Sequence, residues 1–357
     1  MISFFRPMLR LKEPYIRKRC PIMFVLVVGS TDVSKIPGIS AAGASLDVLP
    51  YTAPADADMI WWGKPKVVDW IPLDPQGHPT PAIVTRAALE EAGFPITLID
   101  AGSFVSPKAP FVDVGGYPAK DPSKETAVPQ ARELFQRGRE LAIGLSQGSG
   151  PLVIGESVPG GTTTASLVLA ALGYRGSVSS AGPENPLPLK RKLREDSFRR
   201  LEIEFGGLSG DGMKAMEELG DPMEPLVAGI ASGAPEGKKI VLAGGTQMLA
   251  VAAALRHMGI ERPITVATTC YVHRDKSADF ATLAEAIGVE GWWAPLDFSG
   301  SKWTGLSDYE KGYIKEGAGA GGSVWYANYL GISVDSIIAK TEELYSSMVE
   351  GKVSQDV

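Results

Sequence analysis

Residues 151–164 read PLVIGESVPGGTTT, an apolar strand that leads into a glycine-rich turn, and an apolar helix follows over Ala165 to Leu172. Gly160 and Gly161 allow backbone N–H groups to approach a ligand closely. A helix that begins near Thr162 adds unpaired N–H donors and the positive end of its dipole. The stretch therefore predicts a strand–turn–helix unit that binds an anion.

The spacing of this turn argues against hydrolysis of a nucleoside triphosphate. The pattern G-x-x-x-x-G-K-[ST] requires a lysine after its second glycine, and Gly161 stands at that position. A single phosphate, as on a nucleoside monophosphate, does not require this lysine. The alternative, that the turn only packs and binds no ligand, stays open at this point.

Length and charge narrow the class of protein. The 357 residues exceed what one small core needs, so we expect a large α/β domain with a smaller lobe. Hydrophobic residues at 44% and charged residues at 21% are typical of globular proteins. The net charge is −6, although residues 1–22 carry six Lys or Arg and one Glu. The body of the chain is therefore acidic, and we expect no nucleic acid and no membrane as partners.

The start of the chain allows several readings. We predict that residues 1–22 form a flexible basic extension, while a targeting arm, a membrane-surface anchor and a true start at Met23 are alternatives. The apolar run from Met23 to Val28 is far shorter than the roughly 18 residues of a membrane span. Cys20 and Cys270 are too few for a disulfide framework, and with three histidines they predict no zinc site. We expect a cytoplasmic protein without a metal.

Strands and helices alternate along the rest of the chain, which is typical of a parallel sheet. We predict strands over residues 24–29, 96–100, 151–154, 239–243, 264–269 and 292–298. We predict helices over residues 81–92, 129–141, 165–172, 189–201, 246–258, 278–287 and 333–349. The fold class is therefore α/β, with a Rossmann-like, mostly parallel sheet of five or six strands flanked by helices.

The predicted segments divide the chain into four parts. Residues 1–22 are the basic extension, residues 23–80 contribute to a small lobe, residues 81–330 form the α/β core, and residues 331–357 add the C-terminal helix of the small lobe. Residues 45–78 read as loop. Within them Trp61 and Trp62 either line an apolar pocket or pack within the small lobe.

A second turn repeats the order of residues found in the first. Gly244-Gly245-Thr246 follows an apolar strand and precedes a helix that ends at Gly259. Two such units at one end of a parallel sheet bring two helix N-termini to the same crevice, where ligands bind in open α/β sheets. We therefore expect both turns to contact one ligand.

A carboxylate precedes a run of small residues near the C-terminus. Residues 316–322 read EGAGAGG, so Glu316 is followed by residues that leave room for a ligand ring. Partial desolvation against such a ring would raise its pKa towards that of a general base. An exposed glutamate before a flexible loop is the alternative. The basic run Lys190-Arg191 is read as a solvated helix face.

Three glycine-centred stretches resemble one enzyme family. GESVPGGTT at 155–163, VLAGGTQMLAVAAAL at 241–255 and EGAGAGG at 316–322 occur in the order found in nicotinate-nucleotide:dimethylbenzimidazole phosphoribosyltransferases. The chain is similar to a divergent, archaeal-type member over residues 24 to about 349. Residues 155–163 and 316–320 correspond to the family's G-E-M-G-I-G-N-T-T and E-G-T-G-A, and residues 189–192 to its L-x-R-K. The family's A-D-H-G near the N-terminus is absent.

The resemblance implies transfer of 5-phosphoribose from nicotinate mononucleotide to a benzimidazole-like base. The products would be nicotinate and α-ribazole phosphate, for the lower ligand of cobalamin. Glu316 would remove the acceptor proton, and Glu156 would orient the ribose or stabilise positive charge at C1′. The resemblance implies no cofactor and a homodimer.

The resemblance also implies two sets of binding residues. The 5′-phosphate would be held by Gly160, Gly161, Thr162, Thr163 and Lys192. The ribose or nicotinate would be held by Gly244, Gly245, Thr246, Gly317 and Gly319.

Two other functions agree with the same residues. A nucleotide-binding regulatory protein would keep the turn and perform no transfer, and a nucleosidase would let water attack C1′. A dinucleotide-dependent dehydrogenase is disfavoured, because no G-x-G-x-x-G follows the first strand. The sequence leaves the identity of the acceptor base open.

Overall fold

Seven parallel strands form one sheet in the computed structural model, which describes residues 23–40, 45–93 and 95–353. The predicted basic extension over residues 1–22 lies outside the described residues. The strands are β1 Phe24–Val28, β2 Ile96–Asp100, β3 Val112–Asp113, β4 Leu152–Ser157, β5 Ile240–Ala243, β6 Ile264–Thr269 and β7 Glu290–Ala294. All adjacent pairs run parallel, in the order β3-β2-β1-β4-β5-β6-β7.

Helices cover both faces of this sheet. Those of the first half are α1 Thr52–Trp62, α2 Ala82–Ala92, α3 Ala131–Leu145, α4 Gly161–Leu172, α5 Leu187–Leu201, α6 Gly212–Leu219 and α7 Met223–Gly233. The second half adds α8 Thr246–His257, α9 Cys270–His273, α10 Phe280–Ile287, α11 Thr304–Ser307, α12 Ala320–Tyr329 and α13 Val334–Val353. Short 3-10 turns lie at Asp32–Lys35, Leu49–Tyr51 and Asp308–Lys311. The predicted α/β class with a parallel sheet is confirmed, with seven strands instead of five or six.

Strand β1 shows why the fold has two apolar layers. Its side chains alternate between the two faces of the sheet, and all five are fully buried. Val25 and Val27 pack in a layer that includes α3, α4, α7 and α8, whereas Phe24, Leu26 and Val28 pack in a layer that includes α1, α2, α12 and α13. A strand buried on both faces reads as a continuous apolar run, which is why FVLVV was recognisable in the sequence.

The order of the strands determines where a ligand site can lie. From β1 the chain continues to β2 on one side, and β4, the other neighbour of β1, continues to β5 on the opposite side. A crevice opens outside the carboxyl ends of the strands at such a change of direction. The turn after β4, over residues 158–160, lies at this position.

Several local predictions were wrong. Residues 45–78 are not all loop, because α1 occupies Thr52–Trp62. Ala53 to Ile60 are all buried, so this helix has no polar face and no 3.6-residue alternation in its sequence. Helices α6, α7 and α12 were not predicted, and the last strand lies at Glu290–Ala294, nearer the N-terminus than expected. The division into a core and a small lobe stays a prediction, while α13 packs on α2.

Helix α12 lies unusually close to the sheet, and glycines allow this. A Cβ added at Gly322 would lie 2.0 Å from Cβ of Ala243 on β5, and one added at Gly321 would lie 2.0 Å from the carbonyl carbon of Thr268 on β6. No side chain fits at either position. The run of small residues after Glu316 therefore permits close packing of the helix on the sheet, in addition to the space for a ligand that was predicted from the sequence.

This packing gives a first prediction. Gly322→Ala should lower the free energy of unfolding by about 1–3 kcal/mol, because the helix must move off the sheet to admit a methyl group. The control is Gly144→Ala on α3, where an added Cβ meets no heavy atom within 4 Å. There alanine should stabilise by about 0.5–1 kcal/mol through its helix propensity. Denaturant unfolding of both variants tests this, and an unchanged stability of Gly322→Ala would contradict it.

Candidate active site

A cavity of about 260 Å³ opens at the carboxyl edge of the sheet. The end of β4 and the turns before α4 and α8 contribute Glu156, Ser157, Gly160, Thr162, Gly245 and Thr246. Other lining segments are residues 179–181, residues 314–317 and the apolar segments between Ile39 and Pro81. The two helix N-termini predicted to share a crevice are therefore brought to one cavity.

The structure brings together some of the predicted site residues and separates others. Seven of them line the cavity: Glu156, Gly160, Thr162, Gly245, Thr246, Glu316 and Gly317. The five that are not among its lining residues are Gly161, Thr163, Lys192, Gly244 and Gly319. Three of these glycines instead permit close packing: an added Cβ would meet Gln247 at Gly161, Met248 at Gly244 and Phe24 at Gly319. Thr163 is fully buried in α4.

Glu156 is one of the buried carboxyls of the cavity. Its side chain is 1% exposed, and Oε2 accepts a hydrogen bond of 3.0 Å from Nε2 of Gln247. Oε1 is buried and has no partner among the described residues. Burial raises the pKa of Glu156 well above its usual value, and the nearby charges of Glu316 and Asp221 raise it further. Burial therefore favours the protonated carboxyl, and one of its oxygens lacks a hydrogen-bond partner among the described residues.

Glu316 enters the cavity from the loop before α12. Its Oε2 accepts a hydrogen bond of 2.9 Å from the hydroxyl of Thr268, and its Oε1 accepts from the backbone N–H of Gly317 at 3.1 Å and of Gly321 at 3.2 Å. Burial raises the pKa of Glu316 to about 7, against the lowering effect of these hydrogen bonds. A fixed carboxyl with a pKa near neutrality can accept a proton and release it again.

Asp56 is a cavity residue that the sequence analysis missed. It lies on α1, inside the segment that was read as loop, and is 4% exposed. Its Oδ1 accepts a hydrogen bond of 2.6 Å from the hydroxyl of Thr80, and its Oδ2 accepts one of 2.7 Å from the hydroxyl of Ser157. Burial raises its pKa to about 6. The sequence signal for a functional residue here was the pair Asp56 and Asp58 within an otherwise apolar segment.

The lysines near the cavity are not the ones that were predicted. Lys192 is 73% exposed, pairs with Asp196 on the surface of α5 and is not among the residues that line the cavity, so its role in phosphate binding stays a prediction. Lys190 does not lie on a solvated face, because it is buried and donates a hydrogen bond of 2.8 Å to the carbonyl of Ser179. Position 190 points inwards and position 192 outwards, since helical residues two apart lie on different sides.

Lys315 is the lysine that lines the cavity. Its ammonium pairs with Oδ2 of Asp275 at 2.7 Å, and both side chains are buried. Lys190 lies close enough that the charge of Lys315 helps to lower its pKa, although burial is the larger cause and brings the value to about 7. Two amino groups therefore lie next to residues 179–181 of the cavity wall.

Comparison with known proteins identifies the family. The UPF0284 protein of Pyrococcus furiosus is 49% identical over 329 residues, which cover 92% of this chain and 99% of that protein. The UPF0284 protein of Methanosarcina mazei is 42% identical over 333 residues, 92% of this chain and 95% of that protein. This chain belongs to the UPF0284 family. No family model matches it.

Solved structures show which fold this UPF0284 protein has. Nicotinate-nucleotide-dimethylbenzimidazole phosphoribosyltransferase from Thermus thermophilus superposes with a TM-score of 0.56 at 17% identity, covering 91% of this chain and 82% of that one. CobT from the same organism gives a TM-score of 0.55 at 18% identity, with 91% and 83% covered. The resemblance predicted from the glycine-rich stretches is confirmed at the level of the fold.

The described residues of the UPF0284 protein show two further properties. None of their helices combines the length and apolar character needed to cross a bilayer. No three side chains of His, Cys, Asp or Glu among them are grouped as ligands of a metal ion.

The raised pKa of Glu156 gives a second prediction. Because the folded state binds this proton more tightly than the unfolded chain, stability is lost as pH rises above the unfolded value of about 4.3. Glu156→Gln keeps the shape and removes the titration, so it should stabilise the ligand-free protein by about 1–3 kcal/mol at pH 8 and far less at pH 5. Thermal unfolding at both pH values is the measurement. Glu133→Gln, at an exposed site on α3, is the control, and an equal effect of the two substitutions would refute the assignment.

Proposed function

We propose that this UPF0284 protein transfers the 5-phosphoribosyl group of nicotinate mononucleotide to a benzimidazole-like base, giving nicotinate and an α-ribazole phosphate. One observation carries the proposal: Glu316 lines the same cavity as the Gly160 turn, although 156 positions of sequence separate them. A helix N-terminus suited to an anion and a fixed carboxyl near neutral pKa thus face one space. The likeness of the fold to a solved transferase of this type supports it further.

The reaction needs a base more than it needs an acid. When the bond between C1′ and the pyridinium nitrogen breaks, its electron pair neutralises that nitrogen, so nicotinate leaves without protonation. A ring nitrogen of the acceptor forms the new bond to C1′ from the opposite face, with inversion. The acceptor's other ring nitrogen loses its proton, and Glu316 takes it up and later releases it to solvent. Three hydrogen-bond donors hold Glu316 in place for this step.

Glu156 is suited to the ribosyl part of the substrate. Its Oε1 is buried without a partner among the described residues, and a rotation of the side chain towards the cavity would let it accept from or donate to a ribose hydroxyl, depending on its protonation. The positive charge of the pyridinium nucleotide favours the ionised form, which burial disfavours in the free protein. An ionised Glu156 would then stabilise the positive charge that develops at C1′ as the glycosidic bond breaks.

The phosphate group has two sources of stabilisation in this cavity. The N-termini of α4 and α8 direct their positive dipole ends towards it, because Thr162 and Thr246 both line the cavity in the first turns of their helices. Lys315 supplies an ammonium, already paired with Asp275, to which a phosphate oxygen could add a hydrogen bond, and a bound phosphate dianion would favour the charged form of Lys190 nearby. We therefore assign phosphate binding to Lys315, with Lys190 adding positive charge from behind the cavity wall, instead of Lys192.

The third prediction concerns the general base. Glu316→Gln should lower kcat by roughly 10²- to 10⁴-fold with little change in nicotinate mononucleotide binding. Because the carboxylate must be ionised to accept a proton, kcat/KM of the unchanged protein should rise about tenfold per pH unit below its pKa of about 7 and level off above it. Nicotinate release with and without an acceptor is the measurement. Release without any acceptor would show that water attacks and would overturn the transfer.

The fourth prediction compares two lysines. Lys315→Met should raise KM for nicotinate mononucleotide roughly tenfold or more, since a hydrogen bond to a charged group contributes about 1.5–3 kcal/mol. KM for the acceptor base should change far less. Lys192→Met is the matched control, because its ammonium is exposed and should leave both constants unchanged. A larger effect from Lys192→Met than from Lys315→Met would show that position 192 reaches the phosphate after all.

A further inference from the structure

Asp56 is a carboxyl of the cavity that has no role in the proposed transfer. Asp56 lies in the wall that the N-terminal segment contributes, where most lining residues are apolar or aromatic. These include Ile39, Val48, Ala55, Val68, Ile71 and Leu73. Tyr51 and Trp70 of the same wall contact each other edge to face, with their ring centres 6.3 Å apart. Such a wall is suited to a flat aromatic ring.

The hydrogen bonds of Asp56 leave part of its carboxyl available. Each oxygen accepts one hydrogen bond from a hydroxyl, Thr80 on Oδ1 and Ser157 on Oδ2. An ionised carboxylate can accept about four. With a pKa of about 6 the group is mostly ionised at neutral pH, so the cavity contains a buried negative charge with spare acceptor capacity. A ligand that placed only methyl groups there would leave this charge poorly solvated.

Asp58 shows what a purely structural aspartate looks like on the same helix. It is fully buried, is not among the residues that line the cavity, and accepts four hydrogen bonds from backbone N–H groups. Those donors are Lys66, Val67, Lys108 and Ala109. All of its acceptor capacity is used to hold loops together. Asp56 differs in both respects, because it faces the cavity and is only half satisfied.

We propose that Asp56 selects the acceptor, so that the base accepted best carries an N–H or O–H donor in addition to the ring nitrogens that react. This inference rests on the transfer proposed above. The aromatic wall would contact the fused ring, and the extra donor would complete the hydrogen bonding of Asp56. A hydroxyl-substituted or amino-substituted benzimidazole has such a donor, whereas a dimethyl-substituted one has none.

The experiment compares acceptors that differ only at this position. The full chain is incubated with nicotinate mononucleotide and benzimidazole, 5-hydroxybenzimidazole or 5,6-dimethylbenzimidazole, and kcat/KM is measured for each. We expect the hydroxyl-bearing base to be favoured over the dimethyl base by roughly 10- to 100-fold, the effect of one hydrogen bond to a charged group. A preference of the unchanged protein for the dimethyl base overturns the inference without any variant.

Substitution of Asp56 separates its role from a structural one. Asp56→Asn should bring the ratio of the two bases to within about threefold of one, with binding of nicotinate mononucleotide preserved. Asp58→Asn is the matched control, which should lower thermal stability and leave the ratio unchanged. If Asp56→Asn still transfers phosphoribose and the ratio of kcat/KM for the two bases is unchanged, the role of Asp56 is wrong while the proposed function stands. Absence of transfer to all three bases in the unchanged protein overturns the proposed function, and the inference with it.

Discussion

The close approach of α12 to the sheet is the constraint on which the site depends. Gly321 and Gly322 lie against Thr268 on β6 and Ala243 on β5, at distances that exclude any side chain. This contact fixes the start of the helix at the carboxyl edge of the sheet. Glu316, a few residues earlier, is thereby placed within hydrogen-bond distance of the Thr268 hydroxyl and of the backbone N–H of Gly321 in the first turn of the helix. The close packing of α12 on the sheet therefore determines where the carboxyl of Glu316 lies.

A second constraint is electrostatic. Glu156, Glu316 and Asp56 lie in the cavity wall, and burial raises the pKa of each. Hydroxyl and N–H donors offset part of the free energy that burying these groups costs, but one oxygen of Glu156 has no partner among the described residues. The pyridinium ring of the proposed nucleotide, which carries a local positive charge, would offset part of this cost. The buried carboxyls that cost the free protein stability would thus favour the positively charged ring of that proposed nucleotide.

The sequence predicted those parts of the fold that follow from local patterns. Strands β1 (FVLVV) and β5 (IVLA) are continuous apolar runs between turn residues, as expected of strands that are buried on both faces. The turns at Gly160 and Gly245 could be predicted because glycine at the start of a helix permits tight turns and close approach of the backbone to a neighbour. Helix α1 was missed because it is buried on nearly all sides, so its sequence has no amphipathic period.

The sequence by itself determined the α/β order of elements and the residue types that can bind an anion or move a proton. The tertiary structure decided which of those residues meet. In the fold Lys190 points inwards and Lys192 points outwards. Asp56, from a segment predicted to be loop, lines the same cavity as Glu316. The physical reason is that the periodicity of a segment indicates only its own secondary structure and which of its faces is buried. A site depends in addition on which segments, distant in sequence, pack against each other.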